Sequence, residues 1–198
     1  MKANNLLLGL APWVLFSVIA DRIGAQYVGT AALVAGLGSL VLVIRGAATD
    51  GVKVIDVAGV VTFAGLALIG YSGSAQTQQW LVDYGRGGCA AVLALVMAIS
   101  AITVPFTEQY ARAEVDSRYW SSPVFRAMNR RISLVWAGLI AVMAASHLLA
   151  GALAASGNER PIVNLALNWG VPILIVLKGM KATEKIAAEA KGAKSVAA

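Results

Sequence analysis

The chain has 198 residues, 59% apolar and 13% charged, with a net charge of +6. Soluble domains carry roughly 25% charged residues, and here the polar residues are gathered into short breaks between apolar runs. That excludes an ordinary soluble domain and indicates an integral membrane protein. The basic excess then reflects Lys and Arg held beside anionic headgroups, with no nucleic-acid binding expected.

Six apolar runs follow in order, at about 5–20, 26–44, 54–72, 87–104, 132–154 and 161–177. A 19-residue helix reaches about 29 Å at 1.5 Å per residue, which matches a hydrocarbon core of about 30 Å. None of the runs alternates with the period of two expected of a barrel strand. The expected fold is therefore a compact all-α bundle of about six transmembrane helices. It forms a single domain over 1–180, followed by a Lys/Ala-rich tail at 181–198 that is expected to be frayed and partly helical.

The first run follows Lys2 and ends at an Ala20–Asp21 junction, which looks like a signal peptide. Ser17 to Ala20 reads SVIA, without a small residue three before the cut, so the segment is expected to be a retained first span. Asp21 to Gly24 forms a hairpin, and Ala47 to Gly51 forms the next turn, with Gly51 as terminator. Gly73 to Gln79 reads as a polar, uncharged loop, followed by Trp80 and Tyr84 at the membrane interface. The last two runs are separated by Ser156 to Pro161, with Pro161 at a permitted first-turn position. Small residues at four-residue spacing, such as Ala32 and Gly36 or Ala137, Ala141 and Ala145, favour close helix packing. Self-association into a homo-oligomer is left open.

Orientation follows from the basic residues. With both termini inside, thirteen of the sixteen are cytoplasmic: Lys2, Arg45, Lys53, Arg112, Arg118, Arg126, Arg130, Arg131, Lys178, Lys181, Lys185, Lys191 and Lys194. Arg22, Arg86 and Arg160 fall in outer turns. So one-sided a distribution supports an even number of spans.

Polar residues inside the spans are candidate functional groups. Asp56 lies three residues after Lys53, so it either pairs with that lysine or serves as an ion site. His147 and Asn168 lie at matched depths in spans five and six, each seven residues from the outer end, and are expected to touch. Pro172, four residues after Asn168, is placed to kink the sixth span and free a carbonyl. With one histidine and one cysteine, Cys89, no metal-ligand spacing arises. No phosphate loop, paired intramembrane acids or nucleophilic triad is visible. The expectation is no enzyme, no cofactor and no metal.

The segment 105–131, PFTEQYARAEVDSRYWSSPVFRAMNRR, is longer than a turn requires. Thr107 is placed as the N-cap of a short helix, and Ser122–Pro123 opens a helix running directly into span five. Arg126, Arg130 and Arg131 are expected to anchor at the inner headgroups. Tyr110, Arg112, Glu114, Tyr119 and Trp120 are expected to lie on the membrane surface and dock other membrane or envelope proteins. Topological anchoring alone is the competing reading.

Three stretches, LGLAPWVLFSV at 8–18, GTAALVAG at 29–36 and NRRISLVWAGLIAV at 129–142, resemble the intracellular septation protein A family. In that family a Leu-Pro opens the first apolar run, an Ala-Thr-Ala-Ala-Leu-like run opens the second, and an Asn followed by a Trp enters a later span. Ala11-Pro12, Gly29 to Leu33, and Asn129 with Trp136 stand at those positions here. The resemblance implies a multi-pass bacterial inner-membrane protein, non-catalytic, acting in envelope maintenance, septation and cell division through membrane-protein contacts. A small transporter or permease using Asp56 is the alternative.

The orientation is testable with single cysteines in a Cys89→Ala background. Ser74→Cys and Asn158→Cys should react with an impermeant thiol reagent applied outside intact cells, and Ser121→Cys should stay unlabelled. External labelling of Ser121→Cys would invert the assignment.

Overall fold

The structure, a computed structural model, describes residues 3–196. Lys2 and residues 197–198 lie outside the described residues, as do the side chains of Lys191 and Lys194. The helices are α1 (Ala3–Ala20), α2 (Val28–Ala48), α3 (Val54–Ser72), α4 (Ala75–Ile102), α5 (Phe106–Ala111), α6 (Pro123–Ala155), α7 (Pro161–Leu165) and α8 (Val171–Val196). A π turn, Ala166–Gly170, joins α7 to α8, and short 3-10 turns lie at Ala25–Tyr27 and Ser117–Tyr119. No strand occurs among the described residues.

Five stretches are long and apolar enough to cross a membrane: Ala25–Ala48, Val54–Ser72, Ala75–Ile102, Pro123–Ala155 and Pro161–Ala190. A shorter apolar helix, Leu7–Ala20, adds to them. The result is an all-α bundle of multi-pass membrane type. Its outer surface is apolar, with Leu68 72% and Ile162 71% exposed, as expected of side chains that face acyl chains.

The helices begin and end where local chemistry supplies hydrogen-bond partners. At the end of α6, Gly157 adopts a φ of 72°. Its N–H donates to Ala154 O (3.0 Å), and the Asn158 N–H donates to Leu153 O (3.0 Å). These paired bonds satisfy two of the terminal carbonyls. Gly51, at a φ of 93°, closes α2 by donating to Gly46 O (2.8 Å), as the sequence suggested.

The polar stretch 73–79, expected as a loop, is mostly the first turn of α4. Ser74 is its N-cap and accepts the Thr77 N–H at 3.3 Å. Gln78 Nε2 donates to Gly70 O (2.9 Å) and Gln79 Nε2 to Asp83 Oδ1 (2.9 Å). Glutamine is a good helix former, and its amides here serve as bridges inside the helix and to the end of α3. Arg86, counted as an outer-turn residue, consequently lies within a helix.

The tail is corrected likewise. α8 continues without a break from the last apolar stretch to Val196. Ile186 is buried, Trp136 Nε1 donates to Thr183 Oγ1 (3.0 Å), and Arg131 pairs with Glu189 (2.7 Å). The tail is held helical by α6, whose 33 residues span about 50 Å and so outrun the bilayer core.

Helix α4 lies between α3 and α6, α2 packs on α1 and α3, and α8 packs on α6. The core is built around Phe63, with the Trp13 ring 5.0 Å and the Phe16 ring 5.5 Å from it, and around Trp136 and Met97. Helices α2 and α3 approach closely at their glycines, where a Cβ on Gly70 would sit 2.6 Å from Gly29 Cα. Gly70→Val should therefore destabilise the bundle by about 1–3 kcal/mol or more, read as a lowered midpoint in detergent-induced unfolding. Gly65→Val, at a position with open space, should leave the midpoint unchanged.

Candidate functional site

Two places in the bundle concentrate polar chemistry. The first is a cleft between α1, α4, α6 and the π turn with the start of α8, a cavity of about 290 Å³. That lies near the lower end of ligand-site volumes, roughly 300–1,000 Å³. Its walls are apolar, with Leu10 and Val14 from α1, Leu93 from α4, Ile140 and Met143 from α6, and Ile173 and Val176 from α8.

The polar residues Arg86, His147 and Asn168 join this lining together with Trp169. The Arg86 side chain is 10% exposed and pairs with Asp21 Oδ1 at 3.0 Å. Its Nη2 also donates to Ser17 O (2.9 Å), and the guanidinium lies 5.7 Å from the Trp169 ring centre. Its Nη1 is buried with no partner. A guanidinium has five N–H donors in a fixed fork, so this unmatched nitrogen is a donor available to a ligand.

His147 Nδ1 lies 2.8 Å from Asn168 Oδ1, the contact that depth matching suggested. Asn168 Nδ2 donates to Asn164 Oδ1 (2.9 Å), and Asn164 Nδ2 donates to Glu159 Oε1. The chain of contacts therefore runs from an exposed turn to a buried histidine. The π turn makes this possible. Pro172 has no N–H to return to the preceding turn, and Leu167 O accepts from Ser146 Oγ instead (2.8 Å). Single π turns inside helices occur frequently at functional sites. The sequence carried one pointer to it, Pro172 beside the two asparagines; the roles of Arg86 and Trp169 went unread, because Arg86 looked like a loop residue.

The second place is at the other end of the bundle, around α5. Lys53 does not pair with Asp56. Its Nζ holds Asp50, through Oδ2 (3.0 Å) and the main-chain O (2.9 Å). The Thr49 hydroxyl and then the Lys53 ammonium keep the Asp50 carboxyl below its usual range. The lysine is thus committed to the turn before α3, and Asp56 is buried with Oδ1 unpartnered.

The segment 105–122 differs from a surface-lying element. Thr107 is not the N-cap; Pro105 is. Thr107 is buried, and its hydroxyl donates to Asn129 O (2.9 Å) beside Ser133 Oγ (3.0 Å). The Phe106 N–H donates to Ser100 Oγ (3.2 Å), so groups from α4 and α6 satisfy the start of α5. Gln109 Oε1 accepts the Val54 N–H (2.8 Å) and caps α3.

Tyr110, expected on the docking surface, is buried against α1 and α3. Burial first, then the Asp56 and Asp50 carboxylates, push its phenol above the usual range. Arg112 is half-exposed, paired with buried Glu108 (2.6 Å) and stacked over Trp120 (5.1 Å). Trp120 is itself half-buried and donates to Val115 O (2.8 Å). Glu114 and Tyr119 are exposed, and Arg118 lies over the Tyr119 ring (5.0 Å). Arg126 and Arg130 are exposed on α6, as is Arg131.

No group of three or more metal-ligating side chains occurs among the described residues. Comparison with family models, with curated proteins and with solved structures finds no match. The likeness to septation protein A accordingly rests on the quoted segments alone.

His147→Leu should cost about 0.6–2 kcal/mol, the range for an interhelical hydrogen bond in a membrane. The loss should appear as a lowered unfolding midpoint, with Asn168→Leu giving a similar loss and the double variant less than their sum.

Proposed function

We propose that this chain is a non-catalytic, multi-pass protein of a bacterial inner membrane that serves envelope maintenance by binding an amphipathic lipid molecule in its lateral cleft. The observation that carries this reading is the join of apolar walls to one unmatched, nine-tenths buried guanidinium nitrogen at Arg86. Acyl chains fit the walls by the hydrophobic effect, and an acceptor oxygen of a headgroup or ester fits Nη1. Because Asp21 already balances the Arg86 charge, the cleft selects for an acceptor oxygen more than for a high negative charge.

The one-sided basic residues support both termini facing the cytoplasm. Arg126, Arg130 and Arg131 then meet inner-leaflet phosphates, and α5 seals the cytoplasmic end. Contacts with other membrane or envelope proteins, and any part in septation or division, fall to the exposed ridge around Glu114, Arg118 and Tyr119. A second reading, a small ion-coupled transporter, draws support from Asp56, whose expected lysine partner is engaged elsewhere.

The test is native mass spectrometry of the chain purified in mild detergent and offered phosphatidylglycerol. Wild type should retain lipid, and Ala90→Leu, which narrows the cleft without touching its polar end, should lose at least tenfold in occupancy. Arg86→Gln should lose a comparable amount. Equal retention by all three would remove the cleft from the function.

A further inference from the structure

Six buried side-chain atoms among the described residues lack a hydrogen-bond partner, and four of them lie together along the seam of α1, α2, α3 and α5: Tyr110 Oη, Asp56 Oδ1, Ser39 Oγ and Trp13 Nε1. Two glycines make the room. A Cβ on Gly9 would run into Tyr110 Oη and stand 3.5 Å from Asp56 Oδ1. A Cβ on Gly59 would run into Ser39 Oγ and stand 3.6 Å from Trp13 Nε1. Gly9 and Trp13 are four apart on α1, and Asp56 and Gly59 three apart on α3, so the two pairs are about one helical turn, roughly 5 Å, from each other.

A buried carboxylate without a counter-charge is strongly disfavoured, and such a group takes its neutral form. Lys53 and Asp50 are the charges that act on Asp56, and they are joined to each other. The Glu108 carboxylate on α5 is taken by Arg112. On α1 the residue beside Asp56 is Gly9, and the polar groups further along the seam, Trp13 and Ser39, carry no charge. The cluster offers one carboxyl, two hydroxyls that donate and accept, and one N–H that only donates. A hard cation such as sodium or calcium needs oxygen ligands around it, and the Trp13 N–H further along the seam opposes that. A proton with hydrogen-bonding water matches donors and acceptors alike.

We propose that Asp56, beside Tyr110 and with Ser39 and Trp13 about one helical turn along the seam, is a proton-binding site reached from the end of the bundle that α5 closes. The proton comes from bulk water and returns to it, and no covalent bond in the chain changes. Tyr110 is the positioning residue, its hydroxyl supporting the ionised carboxylate through intervening water. Asp56 and Tyr110 lie outside the cleft lining, with Trp13 alone common to both, and the proposal stands whether or not the cleft binds lipid.

The experiment is an infrared pH titration of the full chain in lipid nanodiscs, wild type against Asp56→Asn. An unionised carboxylic C=O band, absent from Asp56→Asn and lost as pH rises, is expected. Tyr110→Phe, which keeps the ring packing, should raise the midpoint by about one pH unit, because a hydrogen bond to the charged form is lost. Absence of the band difference at every pH, or an unmoved midpoint in Tyr110→Phe, overturns the proposal. So does loss of the band on replacing choline by sodium at fixed pH and ionic strength, which would assign the site to a metal cation.

Discussion

Six residues of α5 hold together four other helices, and the closed end of the bundle depends on that. Thr107 is clasped by α6, the Phe106 N–H is taken by Ser100 of α4, Gln109 caps α3, and the Tyr110 ring enters between α1 and α3. In a bilayer, non-helical backbone is tolerated only where protein or water satisfies it. The chain leaving α4 at Thr103 meets that demand within a few residues. Its own cap bonds return to Ile99 and Ser100, and α5 begins at once. The segment that looked like an appendage is the fastening of the fold.

This fastening divides the labour between the two ends. At the α5 end the polar groups are enclosed, and charges cancel locally in the pairs Lys53–Asp50 and Arg112–Glu108. At the other end the polar groups face a cleft, with Arg86 held by Asp21 and by a main-chain carbonyl of α1. Helix α1 borders both. Trp13 presents its ring to the cleft lining and its Nε1 to the Gly59 seam. A single indole is thus shared by the cleft wall and the seam.

Much of this was legible in the sequence, for identifiable reasons. Apolar run length and the turn glycines report on the bilayer and on positive φ, which are local matters, so the all-α membrane-type bundle and the breaks at Gly51 and Gly157 came through. The His147–Asn168 contact followed from depth, since two antiparallel helices joined by a short turn share one coordinate. What stayed hidden depends on partners distant in the chain. Lys53 chose Asp50 over Asp56, and three-residue spacing serves both pairs equally. Tyr110 and Thr107 were misplaced because an aromatic and a hydroxyl beside several arginines read as surface, whereas the Asn129 carbonyl and Ser133 hydroxyl of α6 let Thr107 bury and Gly9 of α1 leaves room for the Tyr110 ring. Arg86 was taken for a turn residue because glutamines hid the true start of α4. The tail looked frayed because Ala and Lys give no packing signal, while Trp136 and Arg131 capture it from another helix.

The π turn at Ala166–Gly170 contains one residue more than an α-helix would use over the same rise. Its presence is a matter of register. Removing one residue there would return the turn to α-helical register, with each half keeping its present outward faces and the break in the hydrogen-bond ladder at Pro172 remaining. The displaced Leu167 carbonyl and the position of Asn168 opposite His147 would go. The contacts of Ser146 and His147 with the π turn are thus separable by a single deletion from Arg86, which Asp21 and Ser17 hold from another helix. A bundle of this architecture gains or loses those contacts by one codon rather than by remodelling a helix.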